Sequence, residues 1–437
     1  MNNVQNNGNY WSSTANNQNN AYNLNFNSNN LNPQNNNNRY NGFSVRLVQD
    51  FTQLTIDFPA PRKEESGEVS LLSDLFRAYY AARRHKRKTH SQLEFEIDLE
   101  RNLIMLCKEL CDRTYRPSSS ICFIINDPKK REVFASSFRD RVVHHLYYNY
   151  VAAYCDRRFI YDSYSCREGK GTLFGIERLE HHIRSVSANY TRPAYVLKLD
   201  LQGYFMSIPR EQLRRSVRQM LMGWAANADK APVDLVMWLT DLICLKNPLS
   251  DCRIRGAKSD WKDLPQTKSL WHSPDGVGLP IGDLTSQLFS NIYLNGLDRF
   301  VTETLGVHHY GRYVDDFYLL DISCERLWER LLPIQQYLQT IGMTLHPGKI
   351  VLQPVSLPGK QKNVPPLEFL GALVYPYYRH CTRRTTAKYR RCCHRWAIGF
   401  TDMAEAKSFS AAAYWRMVQS WQSYRGYFSH FKFTPFR

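Results

Sequence analysis

The chain has 437 residues, 43% of them hydrophobic, and a formal net charge of +17; it is long enough to bury a large core in two or three lobes, and the surplus points to a polyanion partner, most simply nucleic acid, over merely solvated lysines and arginines. Eleven cysteines fall at irregular spacing with no CxxC pair, which argues against a disulfide framework and a zinc site, so Cys392-Cys393-His394 reads as packing. No apolar run reaches membrane-spanning length and the N-terminus lacks a signal-peptide pattern, so a cytoplasmic chain with no membrane partner is expected.

Residues 1–41 hold 20 asparagines and almost no aliphatic side chains, too little apolar surface to offset ordering entropy, so a disordered tail is expected over residues 1–48. That tail carries only Arg39 and Arg46 and no acid, leaving 55 basic against 40 acidic residues on the rest. Beyond Leu47 the stretch "LLSDLFRAYYAARRHKRKTHSQLEFEIDLERNLIMLCKELC" places apolar residues at helical spacing, with Ser73 or Asp74 as the N-cap. Its basic cluster, residues 83–88, reads equally as a solvated helix face or a nucleic-acid contact. Residues 118–146 read as strand, basic turn, strand and helix, and "AYVLKLDLQGYFMSI" as an apolar strand running into Asp200. Residues 228–275 are poorly periodic and contain proline, as an insertion would. After them come a loop opening an amphipathic helix, "GVGLPIGDLTSQLFSNIYLNGLDRFV", the hairpin "GRYVDDFYLL", a strand pair in "LEFLGALVYPYY", and sixty helical, basic residues.

Asp315 and Asp316 stand side by side in an otherwise apolar hairpin. Neighbouring like charges there raise each other's pKa and lose hydration unless a cation neutralises them, although Asp-Asp also makes a good hairpin turn. Asp200 supplies a third carboxylate that a sheet can bring to the same edge. Oxygen-only ligation of this kind suits Mg²⁺, and two such ions roughly 3.5 to 4 Å apart clamp the attacking and leaving oxygens of an in-line phosphoryl displacement. The pattern points to nucleotidyl transfer.

The ordered segments "PKKREV", "SYSCREGKGT", "KLDLQGYF", "GLPIGDLTSQ", "YVDD", "LHPGK" and "EFLGALVYP" resemble the fingers and palm motifs of reverse transcriptases, and the resemblance spans roughly residues 70 to 430. It implies an α+β, right-hand polymerase: fingers over 49–193, a palm over 194–375 whose antiparallel sheet packs on helices and which carries an excursion at about 210–275, and a helical basic thumb over 376–437. It further implies RNA-directed DNA synthesis with two Mg²⁺ ions (Mn²⁺ as a substitute), a template RNA, a DNA or RNA primer and dNTPs.

By position, the resemblance assigns Asp200 and Asp315 as direct metal ligands, Asp316 as a weaker partner and the Leu201 carbonyl as an extra ligand. Phe205, with Tyr204 beside it, forms the wall against a ribose 2′-hydroxyl. Lys129, Lys130 and Arg131 grip the triphosphate, and Lys349 protonates or neutralises the pyrophosphate. Gly282 lets the helix backbone approach the nascent pair, with Ile281 and Gln287 lining the same pocket. Arg167 and Lys170 are expected on the primer or template, Phe369, Leu370 and Gly371 in the primer grip, and Lys388, Arg390 and Arg391 along phosphates.

Ile281 stands where most reverse transcriptases have Gln, and Gln287 where Pro is usual. With "FRDRVVHHL" and "SYRGYFSHFK", this resembles the diversity-generating retroelement branch, which is bacterial or phage-encoded. The branch implies errors opposite template adenines while a template-repeat RNA is copied to replace a variable repeat, and a small basic accessory protein. The Asn-rich tail resembles the end of the C-type-lectin-like domains such elements diversify, as a translated adenine-rich template repeat would. A group II intron-like or retron-like enzyme shares the metal site, but this chain ends soon after the thumb without a DNA-binding or nuclease extension; a non-catalytic RNA-binding scaffold fits poorly with three intact aspartates.

Overall fold

The structure, a computed structural model, describes residues 8–15, 20–27, 30–38, 66–84, 89–126, 129–226, 233–405 and 410–431, and divides into one unit over Met1–Val69 and another over Ser70–Arg437. Over residues 1–48, where composition predicts disorder, the described residues form an antiparallel meander of β1 (Gly8–Ala15), β2 (Asn20–Asn27) and β3 (Asn30–Asn38). Such a ladder is made by backbone groups, which asparagine supplies as well as any residue. The rest of that tail lies outside the described residues.

The helical part begins with α1 (Ser66–Arg83), α2 (His90–Ile97) and α3 (Leu99–Cys111). Asp74 is not an N-cap but lies inside α1, where its carboxylate pairs with Arg77 at 3.2 Å and accepts the Tyr150 hydroxyl at 2.8 Å. Residues 85–88 of the basic cluster lie outside the described residues. The strands β4 (Ser120–Ile125) and β5 (Arg131–Ala135) pair antiparallel, and α4 (Phe138–Asp156) follows with Ser137 as its N-cap, accepting the Asp140 N–H at 3.2 Å. Next come α5 (Thr172–Val186), β6 (Ala194–Asp200), the single turn α6 (Tyr204–Ser207), α7 (Arg210–Ala225) and α8 (Val233–Leu245).

Of the stretch 228–275, the described residues 233–275 pack into the fold. α8 is buried in the main core through Leu235, Val236 and Leu239, and its apolar residues extend round most of its surface, which hides the helical period. After it β7 (Cys252–Ile254) joins the hairpin as a third strand parallel to β4, in the order β5–β4–β7. The carboxylate of Glu132, fully buried on β5, accepts from Trp261 Nε1 at 2.7 Å, Ser269 Oγ at 2.9 Å and the Leu270 N–H at 2.7 Å. Glu132 thus ties residues 261–270 to the hairpin, in addition to the pairing of β7 with β4.

The chain continues through α9 (Leu284–Arg299), β8 (His309–Tyr313), β9 (Asp316–Asp321), α10 (Cys324–Glu329), α11 (Leu331–Thr340) and β10 (Val351–Ser356). The strands form an antiparallel sheet in the order β10–β6–β9–β8. Leu197, Leu199, Phe317 and Leu319 face the main helical core, whereas Val196, Tyr318 and Leu320 face a second core. A sheet covered on both faces needs continuous apolar strands, which is why β6 and β9 show little alternation. The second core also takes in α5, β11 (Leu367–Phe369), β12 (Ala372–Tyr375), β13 (Tyr378–Cys381), α12 (Arg383–Glu405) and α13 (Ala411–Phe428). The result is the α+β, right-hand-polymerase arrangement expected from the sequence, with an antiparallel sheet packed on helices. Among the described residues no helix is long and apolar enough to cross a membrane.

Replacing Glu132 by Ala leaves three donors without their acceptor. We expect a loss of roughly 2–4 kcal/mol in unfolding free energy and new tryptic cleavage between Lys258 and Lys268; an unchanged midpoint and digestion pattern would show that the clamp contributes nothing.

Candidate active site

Two residues, Val314 and Asp315, connect β8 to β9, with Tyr313 and Asp316 paired on either side. Val314 takes a φ of +57°, a region that costs a β-branched residue on the order of 1–3 kcal/mol and persists only where the surroundings over-determine it. They do so through Arg312, which is fully buried with its partner Asp298. Arg312 Nε and one amino nitrogen each donate to a different Asp298 oxygen at 2.7 Å, and the Tyr310 hydroxyl donates to the same carboxylate at 2.7 Å. The other amino nitrogen donates to the Val314 carbonyl at 3.0 Å, inside the strained turn. The backbone of Arg312 is fixed as well, donating to the Asp162 carbonyl and accepting from the Tyr164 N–H, both at 2.9 Å.

On β6 and β9 the register sets Asp200 directly opposite Asp316. The Leu201 N–H donates to the Asp315 carbonyl at 3.1 Å, tying the end of β6 to the turn, and the His346 N–H donates to the Asp200 carbonyl at 2.8 Å. Burial raises the Asp315 carboxyl above the usual range and the neighbouring Asp200 adds to this, while Lys349 and Arg131 act in the opposite sense. Burial likewise pushes Asp316 up to about 6, against the pull of Lys198, whose Nζ is 3.3 Å from Asp316 Oδ2. Lys349 Nζ lies 2.7 Å from Asp200 Oδ1. Among the described residues no three His, Cys, Asp or Glu side chains converge as a ligand set, and two of the three carboxylates are paired with lysines.

The residues nevertheless fit a divalent cation. The donor set is oxygen only, two carboxyls are held unfavourably charged, and Asp316 Oδ1 is buried without a hydrogen-bond partner.

Arg131, which acts on Asp315, opens β5 two residues after Lys129, and Lys130 Nζ donates to the Lys262 carbonyl. Phe205 and Ile281 pack on one small apolar cluster of Cys122, Phe134, Met206 and Leu270. The Ile281 carbonyl accepts from the Phe134 N–H at 2.8 Å. Gly282, with a φ of +144°, lies so close that a Cβ would meet the Phe134 carbonyl at 2.2 Å. The close approach that its glycine serves is thus to β5. Gln287 is exposed on α9.

Several expected contacts are placed elsewhere. Tyr204 is buried and donates its hydroxyl to the Ser290 carbonyl at 2.8 Å, so it is a core residue rather than part of a sugar-facing surface. The Arg167 side chain is 6% exposed and bonds to Asp156 at 2.5 Å and to the Ile160 and Ser163 carbonyls at 2.7 and 2.9 Å, so its donors are spent on a loop of the chain itself. Lys170 lies 4.3 Å over the Tyr161 ring, and burial lowers it to about 8. Phe369 is buried edge-on to Tyr318 at 5.2 Å, while Leu370 and Gly371 make the β11–β12 turn with φ of +49° and +85°. Arg390 and Arg391 are exposed on α12 and Lys388 is half-buried there. Sequence reasoning missed Lys198, Arg312 and Asp298; the available signal was charge inside apolar runs, which demands a partner without naming it.

Residues 126–374, more than half of the chain, match the family model described as "Reverse transcriptase (RNA-dependent DNA polymerase)". No curated protein matches. Among solved structures the chain is similar to telomerase from Candida albicans in complex with a fragment of telomeric RNA, at 13% identity over 62% of this chain and 46% of that one with a TM-score of 0.40. It is also similar to apo telomerase from Candida tropicalis, at 11% identity over 62% and 49% with a TM-score of 0.41. The chain thus spans about half the length of these structures.

The raised Asp316 carboxyl has a pH signature. A carboxyl whose folded pKa lies above its unfolded value favours the fold while protonated, and that contribution is lost as pH rises from about 4 through about 6. In chelator, Asp316→Asn should therefore gain stability relative to the parent between pH 4 and pH 7, by no more than roughly 3 kcal/mol, and Mg²⁺ should close the gap. A difference between the two proteins that stays constant with pH in denaturant titrations would contradict the assignment.

Proposed function

The chain belongs to the reverse transcriptase (RNA-dependent DNA polymerase) family, and on that premise we propose that it is an RNA-directed DNA polymerase of the diversity-generating branch, copying a template-repeat RNA into cDNA. The observation that carries the polymerase reading is the register that sets Asp200 opposite Asp316, with Asp315 on the turn beside them. Asp200 and Asp315, with Asp316 and the Leu201 carbonyl, would hold two Mg²⁺ ions, which would activate a primer hydroxyl and neutralise the triphosphate.

The chain's own residues supply the rest. Arg131, near enough to lower the Asp315 carboxyl, grips the triphosphate with Lys129 and Lys130 beside it. Lys349, paired with Asp200, gives a proton to the departing pyrophosphate oxygen in this reading. Phe205, anchored through its carbonyl to the Leu279 N–H at 2.7 Å, walls off the 2′-hydroxyl. The exposed Arg390 and Arg391 follow the phosphates of the primer–template.

Ile281 supports the finer reading. It presents a β-branched apolar side chain where a polar amide is usual, and it packs, like Phe205, on the cluster of Cys122, Phe134, Met206 and Leu270, so it offers no hydrogen-bonding group to the templating base. A looser check at template adenines is the consequence, and the adenine-rich codons of the Asn tract agree with a translated template repeat. The reading also includes a small basic accessory protein and a cytoplasmic setting.

Sequencing cDNA made on an RNA template tests both levels. Asp315→Asn should abolish Mg²⁺-dependent synthesis, and the parent should err mainly opposite adenines, with Ile281→Gln lowering that error rate severalfold while polymerisation continues. Synthesis by Asp315→Asn at the parent's rate would overturn the polymerase site, and errors spread over all four bases would leave an ordinary reverse transcriptase.

A further inference from the structure

Two lysines stand on the carboxylate cluster, and they are held differently. Lys349 reaches Asp200 from the turn before β10 with a side chain that is 49% exposed, so it can release Asp200 by turning its ammonium into water. Lys198 reaches Asp316 with a side chain that is only 20% exposed. It stands on β6, an inner strand with β10 on one side and β9 on the other, where its partners in the ladder are Val351 and Tyr318. Successive strand residues alternate between faces, so Lys198 shares the second-core face of the sheet with Val196 on β6 and Tyr318 on β9. From opposite Tyr318 its ammonium meets Asp316 on the diagonal, a span that a long side chain covers.

The surroundings keep that ammonium charged and in place. Its Nζ lies 5.9 Å from the centre of the Phe369 ring, whose electron-rich face attracts a cation. Phe369 is itself set edge-on to Tyr318, whose hydroxyl is bonded to the Tyr164 hydroxyl at 2.9 Å and to His182 Nδ1 at 3.1 Å. Lys198 takes only Asp316 Oδ2, and Oδ1 of the same carboxylate is buried without a hydrogen-bond partner. One carboxylate is thus divided between a resident ammonium and a free oxygen.

We propose that Lys198 is a permanent counter-charge that sets how weakly the cluster binds a divalent cation: Lys349 gives way to the ion, and Lys198 stays on Asp316. A fixed positive charge beside a ligand carboxylate opposes the entry of a second cation, so the lysine lowers the affinity of the cluster. It is a positioning residue that acts through Asp316. The inference rests on the carboxylates being the metal site, as in the proposed function. The opposite role, in which Lys198 serves to aim Asp316 at the ion, predicts the opposite sign, because removing the lysine would then weaken binding.

Titrating the full chain with Mn²⁺ and reading the free ion by electron paramagnetic resonance, without nucleotide or nucleic acid, tests this apart from activity. The share of binding that belongs to the cluster is the share lost in Asp200→Asn/Asp315→Asn. For that share Lys198→Met and Lys198→Gln should each tighten binding by about tenfold or more, and Lys198→Arg, which keeps the charge, should stay within about threefold of the parent. The two neutral variants differ in polarity, so a packing defect in one does not remove the test. In an Asp316→Asn background the gain from Lys198→Met should disappear, as it must if the lysine acts through that carboxylate. Weaker or unchanged binding in both neutral variants would overturn the proposal, and so would a gain that persists beside Asp316→Asn. Parent binding that does not fall in Asp200→Asn/Asp315→Asn would overturn the metal site itself, and the proposal with it.

Discussion

The buried pair between Arg312 and Asp298 is the constraint on which the site depends. Bringing both charges out of water is costly, and the direct bonds do little more than offset that cost, so such a pair adds little net stability. Breaking it by removing one partner costs on the order of 3–5 kcal/mol, because the other charge is left buried. Its effect is therefore positional. Arg312 spends two donors on Asp298 and a further one on the Val314 carbonyl, so α9, β8 and the strained turn are fixed as one piece. With the turn fixed, Asp315 and Asp316 meet the end of β6 in a single register.

A second joint sets the far wall of the site. Gly282 permits the loop before α9 to lie against β5, the Ile281 carbonyl accepts from Phe134, and Phe205 closes the same apolar cluster from α6. The hairpin with Arg131 is thus bonded to the loop before α9, and Glu132 extends the connection to residues 261–270. A change in any of these contacts moves Arg131 and Ile281 together.

The site was legible in the sequence wherever chemistry is carried by neighbours in the chain. Asp315-Asp316 in an apolar run, and Asp200 at the end of an apolar strand, announced a charge cluster before any pairing was known. The strands β4, β5, β6, β8 and β9 follow from the same local patterns. What stayed hidden was long-range. Nothing near Arg312 names Asp298, 14 residues earlier at the end of α9, and nothing near Arg167 announces that Asp156 and two carbonyls consume it. Tyr204 and Phe205 look alike in the chain, and only the packing decides that the first is core. The 228–275 stretch misled because α8 is apolar on most sides, which erases the period that marks an amphipathic helix.

Locating Mn²⁺ by anomalous scattering in crystals of the parent and of Arg312→Met/Asp298→Met tests the central claim most directly, since replacing both partners by apolar side chains preserves folding where removing one does not. The account predicts an ion bound by Asp200 and Asp315 in the parent, and a folded double variant in which the Val314–Asp315 turn has moved and the ion is lost. Full Mn²⁺ occupancy with an unmoved turn in the double variant would contradict it.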